Sequence, residues 1–210
     1  PEAEDFLTIA LNTAGVSHQA GPLPRFQQQK NLFPMHVASS SKRNIVLIGM
    51  PGVGKSTVGV LLAKRLGFAF IDTDIYIQVR EGRSLQEIIQ AHGADEFCRI
   101  EEDHILSLAV NSHVIAPGGS VVYRPKAMAH LKADGVTIHL DIAVERLKRR
   151  LEDVDARGVV IAPGQTVASL YRERLPLYLA YADATVPTDG LTPDQVVGEV
   201  LDTLGRLSPP

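Results

Sequence analysis

From Asn44 onward, short apolar runs alternate with segments whose apolar residues recur every three or four positions. Asn44 to Ile48 is a run rich in β-branched residues, the pattern of a strand buried on both faces. Lys55 to Leu66 sets Val58, Leu61, Leu62 and Leu66 on one helical face, and Gly67 supplies a C-terminal stop. Phe68 to Ile71 reads as a second strand. Ser84 opens a helix with Glu87 three residues on, a capping box. Ala94 to Val110 follows as a separate, longer helix. Val114 to Ala116 and Val136 to Leu140 read as strands flanking a helix over Pro125 to Ala133. Ile142 to Leu151 is a helix with a basic exposed face. Gln165 to Tyr181 is helical, with a kink expected at Pro176. Thr185 to Val186 is a last short strand. Thr192, Pro193 and Gln195 then start the final helix with a cap, a first-turn proline and a box residue. Strands alternating with helices imply βαβ units and a mainly parallel sheet covered on both faces.

Residues 1–43 break this regularity. Glu4 to Ala14 suits one short helix, but the stretch after it carries three prolines, a Gln run and a Ser run. That composition marks a linker or a surface-wrapping arm, with Phe26, Leu32 and Phe33 as its docking residues if it is an arm. The reading is therefore an extension or linker over 1–43, one α/β domain over 44–206 and a tail over 207–210.

Composition narrows the function classes. The chain has 210 residues, 45% of them hydrophobic, which suits one compact domain with a sizeable core. A net charge of -3 argues against direct nucleic-acid binding, because such domains are strongly basic. The single cysteine, Cys98, has no internal disulfide partner and fits a reducing cytoplasm. No apolar run is long enough for a membrane helix, and the acidic start is unlike an export signal. Position 1 is Pro and not Met, which fits a fragment or a processed product.

The chemistry begins at GMPGVGKST, Gly49 to Thr57, which matches G-x-x-x-x-G-K-[ST] directly after a buried strand and at the head of a helix. Glycines let backbone approach phosphate oxygens, and successive N–H groups at a helix start make a concave anion site. Gly52, Val53, Gly54, Lys55, Ser56 and Thr57 are the nucleotide-binding candidates, with Lys55 on the β- and γ-phosphates and Ser56 on Mg²⁺. No guanine-reading N-K-x-D is present, so the nucleotide expected is ATP. The second strand ends in IDTD. Asp72 and Asp74 flank Thr73 and would project on one side of an extended segment, at the carboxyl end of a parallel strand where ligands bind. One carboxylate can hold Mg²⁺ and the other can take a proton from an attacking hydroxyl.

Together these residues resemble the shikimate kinase family. The resemblance runs from about Lys42 to Leu204 through the phosphate loop, the Asp72/Asp74 pair and EFCRIEED at Glu96 to Asp103. It continues through PGGS at Pro117 to Ser120, a lid-like stretch about 153–166 around Arg157, and ERLPLY at Glu173 to Tyr178. It implies a P-loop nucleoside-triphosphate-binding fold with a five-stranded parallel sheet, helices on both faces and a mobile lid. It implies ATP and Mg²⁺ as cofactors and a small hydroxylated acid as substrate. Lys55 would contact the phosphates, while Ser56 and Asp72 would organise Mg²⁺. Asp74 would bind the substrate hydroxyls and act as base. Gly118 and Gly119 would offer N–H groups to the substrate. Arg157 would close with the lid onto the transferring phosphoryl group. Arg174 would pair with the substrate carboxylate, and Arg150 would stack near adenine.

Three positions depart from the pattern. The family places an arginine where Cys98 stands, and that arginine helps hold the substrate carboxylate; a thiol has no equivalent fork of donors. Arg99 is next in sequence but points about 100° away on a helix, so Cys98 reads as a neutral wall of the substrate pocket. Pro117 removes an N–H donor at the first of three family glycines, and Gly158 replaces the proline after the lid arginine. A competing reading is a kinase-like ligand-sensing domain, the C-terminal part of a bacterial regulator with a DNA-binding domain upstream.

Overall fold

The computed structural model describes residues 44–152 and 164–207. The expectations for residues 1–43, for the lid and for Arg157 and Gly158 lie outside the described residues. Within them, β1 (Asn44–Ile48) is buried along its whole length, as its uninterrupted apolar run requires. The chain continues through α1 (Lys55–Leu66), β2 (Ala69–Asp72), α2 (Thr73–Glu81), α3 (Leu85–Leu106) and β3 (His113–Ala116). After a 3₁₀ turn at Val121–Tyr123 come α4 (Pro125–Ala133), β4 (Gly135–Asp141) and α5 (Val144–Glu152), then α6 (Val167–Tyr181), β5 (Ala184–Pro187) and α7 (Pro193–Leu207).

All five strands pair in parallel in the order β2-β3-β1-β4-β5. β1 lies in the centre, with Val46 facing Ile115 on one side and Thr137 on the other. The phosphate loop therefore leaves the middle of the sheet at its carboxyl edge. β2 and β3 end beside it, with Asp72 in register with Ala116. This is the expected five-stranded P-loop architecture. The main core joins β1 residues to Val58 and Leu62 of α1, Met128 of α4 and Val197 of α7. A second, smaller cluster packs Ile77 of α2 against Leu85, Ile88, Phe97 and Cys98 of α3.

Several element boundaries differ from the sequence reading. The two helices expected from Ser84 and Ala94 run as one element, but Gly93 at φ 83° and ψ 168° breaks the helical geometry between them. That break sets the second half at its own angle and turns Phe97, Cys98 and Glu101 inward. The helix stops at Leu106 and not at Val110, where Ser107 caps it. Pro176 sits inside α6, which continues to Tyr181. The capping boxes at Ser84–Glu87 and Thr192–Gln195 are both formed.

Candidate active site

The phosphate loop is shaped by residues that only glycine tolerates well. Gly52 and Gly54 hold φ at 78° and 109°, in the left-handed region that costs other residues strain. Gly54 caps α1 with no side-chain hydrogen bond, and the first turn of α1 carries no acidic residue. The helix start thus keeps its donors and positive end for an outside anion, as a triphosphate requires. Lys55 Nζ donates to Gly49 O at 2.9 Å and to Met50 O at 3.2 Å, folding the side chain back over the loop. Burial lowers the Lys55 pKa to about 8, against the opposing pull of Asp74 and Asp72. Arg150 reaches in from α5, its Nη1 donating to Val53 O at 2.9 Å and Gly52 O at 3.2 Å. It is tied to the loop and is not part of a merely solvated basic face.

Asp72 and Asp74 do not share an extended segment. Asp72 ends β2 and caps α2, accepting from Asp74 N at 3.0 Å and Ile75 N at 3.3 Å through Oδ1. Asp74 is already in the first helical turn. An aspartate two residues before free helical N–H groups captures them, and this local gain outweighs continued strand pairing. The cap leaves Asp72 Oδ2 to take a short hydrogen bond from Ser56 Oγ, so the two expected Mg²⁺ residues touch. One hydroxyl and one carboxylate are hard oxygen donors, and they suit a Mg²⁺ completed by phosphate and water. Among the described residues no group of three or more His, Cys, Asp or Glu gathers for a metal.

Asp74 turns toward the turn after β3. A Cβ on Gly118 would lie 2.8 Å from Asp74 Oδ1 and 2.4 Å from Glu101 Oε1. Gly118 is thus the floor on which two carboxyl groups converge. Its N–H donates to Thr73 Oγ1 at 3.3 Å, so this expected substrate donor is engaged within the protein. A Cβ on Gly119 would stand 2.8 Å from Pro51 Cδ and 3.1 Å from Arg174 Nη1. Both glycines are needed for close approach, whatever their N–H groups do. Burial raises Asp74 to about 6, with Lys55 opposing the shift. Glu101 is fully buried, and burial raises it to about 7 although Ser120 Oγ donates to its Oε2 at 2.7 Å. Its Oε1 has no hydrogen-bond partner among the described residues.

Arg174 is 1% exposed, buried although it is an arginine on α6. Its Nε donates to Tyr123 Oη at 3.1 Å and its guanidinium lies over the Tyr123 ring. Tyr123 in turn donates to Glu173 Oε1 at 2.6 Å. Tyr178 is buried and donates to Gly119 O at 2.8 Å, locking α6 to the glycine turn. Cys98 is buried in the α2–α3 cluster, and burial pushes its thiol pKa up.

The fold gathers Lys55, Ser56, Asp72, Asp74, Gly118, Gly119 and Arg174 about one cleft, with Arg150 behind the phosphate loop. Val53 is buried in the loop and Thr57 lies exposed on α1. Sequence reasoning gave no role to Glu101, Tyr123 or Arg124. For Glu101 a signal existed: it shares the helical spacing of Phe97, Cys98 and Ile105, so a charge on that face is a buried charge. Tyr123 and Arg124 lie in a turn, where no periodicity marks them.

A parallel sheet with a phosphate loop at its centre, a hydroxyl–carboxylate pair beside the loop and a buried carboxyl across from its lysine define a P-loop phosphotransferase with an alcohol acceptor. The profile of the shikimate kinase family matches residues 51–205. The shikimate kinase of Thermodesulfovibrio yellowstonii is 40% identical over 169 residues, covering 79% of this chain and 97% of that protein. The structure of shikimate kinase from Acinetobacter baumannii in complex with shikimate aligns with a TM-score of 0.72 at 27% identity, over 80% of this chain and 95% of that one. That of Aquifex aeolicus shikimate kinase aligns at 0.67 and 34% identity, over 77% and 96%. This chain belongs to the shikimate kinase family, phosphotransferases that use ATP and Mg²⁺ to phosphorylate a hydroxyl group. No helix among the described residues is long and apolar enough to cross a membrane.

Proposed function

We propose that this chain transfers the terminal phosphoryl group of ATP to a hydroxyl of shikimate or a close hydroxylated carboxylic acid. The observation that carries the reading is Asp74, a half-buried carboxyl with a pKa near 6 that faces Gly118 on one side and feels Lys55 on the other. A carboxylate so tuned is ionised at neutral pH and accepts the hydroxyl proton as the new O–P bond forms and the bond to the ADP oxygen breaks. Gly52 to Thr57 hold the phosphates, with Lys55 offsetting their charge. Ser56 and Asp72 hold Mg²⁺, which when bound draws negative charge from the phosphate oxygens. Arg174 receives the acceptor carboxylate, Gly118 and Gly119 form the floor under the ring, and Cys98 lines its wall. Arg157 acts from a lid over about 153–166, and Arg150 supports the adenine side. A cytoplasmic site of action fits both ATP and an unpaired thiol.

The test is ADP release from ATP and Mg²⁺ with and without shikimate, together with detection of the phosphorylated acid. Turnover no faster than the shikimate-free control sinks the proposal. It would leave the competing sensor reading, a ligand-binding domain downstream of a DNA-binding module, which requires ligand binding without turnover.

A further inference from the structure

Leu147, Arg150 and Leu151 of α5 are three and four residues apart, so they share one face of that helix. The face lies against the phosphate loop. A Cβ on Gly52 would stand 3.1 Å from Leu151 Cδ2 and 3.6 Å from Leu147 Cδ1. Between these two leucines, half-buried Arg150 reaches the loop backbone. Its Nη1 donates to Gly52 O at 3.2 Å and to Val53 O at 2.9 Å. One guanidinium nitrogen thus holds two successive carbonyl groups of the loop.

That hold decides where the loop points its donors. No cis peptide bond occurs among the described residues. In a planar trans peptide the C=O and the N–H of the next residue point in opposite directions. Fixing Gly52 O and Val53 O therefore fixes the N–H groups of Val53 and Gly54. The Val53 N–H closes a turn on Met50 O at 3.2 Å. The Gly54 N–H is turned away from Arg150, at the head of α1 where an anion is received. These peptide planes need an outside hold, because Val53 lies between two glycines. Gly52 and Gly54 have no Cβ, so the planes beside them rotate at little steric cost. Lys55 holds Gly49 O and Met50 O, and Arg150 holds the next pair in the loop.

We propose that Arg150 is a positioning residue of the phosphate loop, aiming its N–H groups at the triphosphate through the Gly52 and Val53 carbonyls. The inference rests on the nucleotide half of the phosphotransfer reading and goes beyond it: Arg150, placed there on the adenine side, acts through the loop. Its support goes to the phosphates, whatever base they carry.

The test is calorimetric binding of MgATP and of magnesium tripolyphosphate, which has no base. The proteins are the wild type, Arg150→Ala, Arg150→Phe and Arg150→Lys, each at low and at high salt. Turnover of shikimate by the wild type is measured alongside. Arg150→Ala should bind both ligands about tenfold more weakly. The loss should persist at high salt, because a hydrogen bond within the protein is screened far less than an attraction between exposed charges. Phenylalanine offers a flat face to a base but no donor, so Arg150→Phe should be as weak as Arg150→Ala for both ligands. Lysine keeps a donor without the fork and should recover part of both affinities. A loss confined to MgATP, or one that phenylalanine recovers, makes Arg150 an adenine platform and overturns the proposal. A loss that vanishes at high salt makes it a counter-charge to the phosphates and overturns the proposal too. So does wild-type affinity in Arg150→Ala, or a wild type that binds MgATP and ignores tripolyphosphate. A wild type that binds both ligands without phosphorylating shikimate overturns the phosphotransfer reading alone. Arg150→Lys serves as the readout if Arg150→Ala does not fold.

Discussion

Along the phosphate loop, nine consecutive residues from Gly49 to Thr57 make a binding surface largely out of backbone. Across the cleft, the acceptor side draws side chains from α2, α3, the turn after β3 and α6. The first surface is held by glycine dihedrals, a helix start and Arg150, so it needs little else from the rest of the fold. The second exists only when α3 has bent at Gly93 and Tyr178 has locked α6 to Gly119. Ionisable groups differ in the same way. The loop contributes one lysine, whereas the acceptor side brings a buried carboxyl, a half-buried one and a buried arginine within reach of one another. A distributed site depends on the packing of the whole fold in a way that a local loop does not.

The largest expected effect removes the group on which the two halves meet. Asp74→Asn keeps the shape of the side chain but cannot accept a proton. Turnover should fall about 10²- to 10⁴-fold while ATP affinity holds. The wild type should show an acid limb near pH 6, where Asp74 takes up its proton, and the residual activity of the variant should lack it. A drop of less than tenfold would remove Asp74 from the role of base. Next in size is Lys55→Ala on the nucleotide side. Loss of a preorganised cation beside the transferring group should cost about 10²- to 10³-fold in turnover and leave shikimate binding intact. Wild-type activity should decline above about pH 8 as Lys55 discharges, a limb the variant should lack.

Gly118→Ala probes the acceptor side by space alone. The added methyl would stand 2.4 Å from Glu101 Oε1, so Glu101 or the turn must shift by about 1 Å to restore ordinary contact. Misplacement on that scale should lower kcat/KM for shikimate about 10²-fold, with the ATP dissociation constant unchanged. If ATP binding fell equally, the two surfaces would not be independent.

The same contrast explains what the sequence made legible. The loop, β1 and α1 could be read because their signals are local: a glycine spacing, an apolar run, a helical period and a stop at Gly67. The capping boxes at Ser84 and Thr192 were readable for that reason too. Asp72 and Asp74 were found as functional residues but misjudged in geometry, because strand and cap signals overlap at Asp72 and the cap prevails. Glu101 went unassigned although its spacing with Phe97, Cys98 and Ile105 marked it as buried. Tyr123 and Arg124 could not be read at all. Their partners, Arg174 and Asp95, are 51 and 29 residues away and meet them only in the folded chain.

Glu101→Gln should change the rate least, yet it measures what the acceptor side costs the fold. The folded-state pKa is about 7, above the ordinary value of 4.5. Below about pH 4.5 the carboxyl is protonated whether the chain is folded or not, and the benefit is complete. Between 4.5 and 7 the unfolded chain releases the proton and the folded one keeps it, so stability falls as pH rises. Above 7 the loss levels off, at no more than about 3 kcal/mol. Asp74 adds a loss of the same sign up to about pH 6, and Lys55 works in reverse, restoring stability above about pH 8. Glutamine accepts from Ser120 as glutamate does and never ionises. The denaturant midpoint of the variant should therefore fall less between pH 5 and 7 than that of the wild type, and at pH 7.5 the variant should be the more stable protein. An unchanged slope would mean that Glu101 ionises freely in the fold, and that the acceptor side is no costlier to assemble than the phosphate loop.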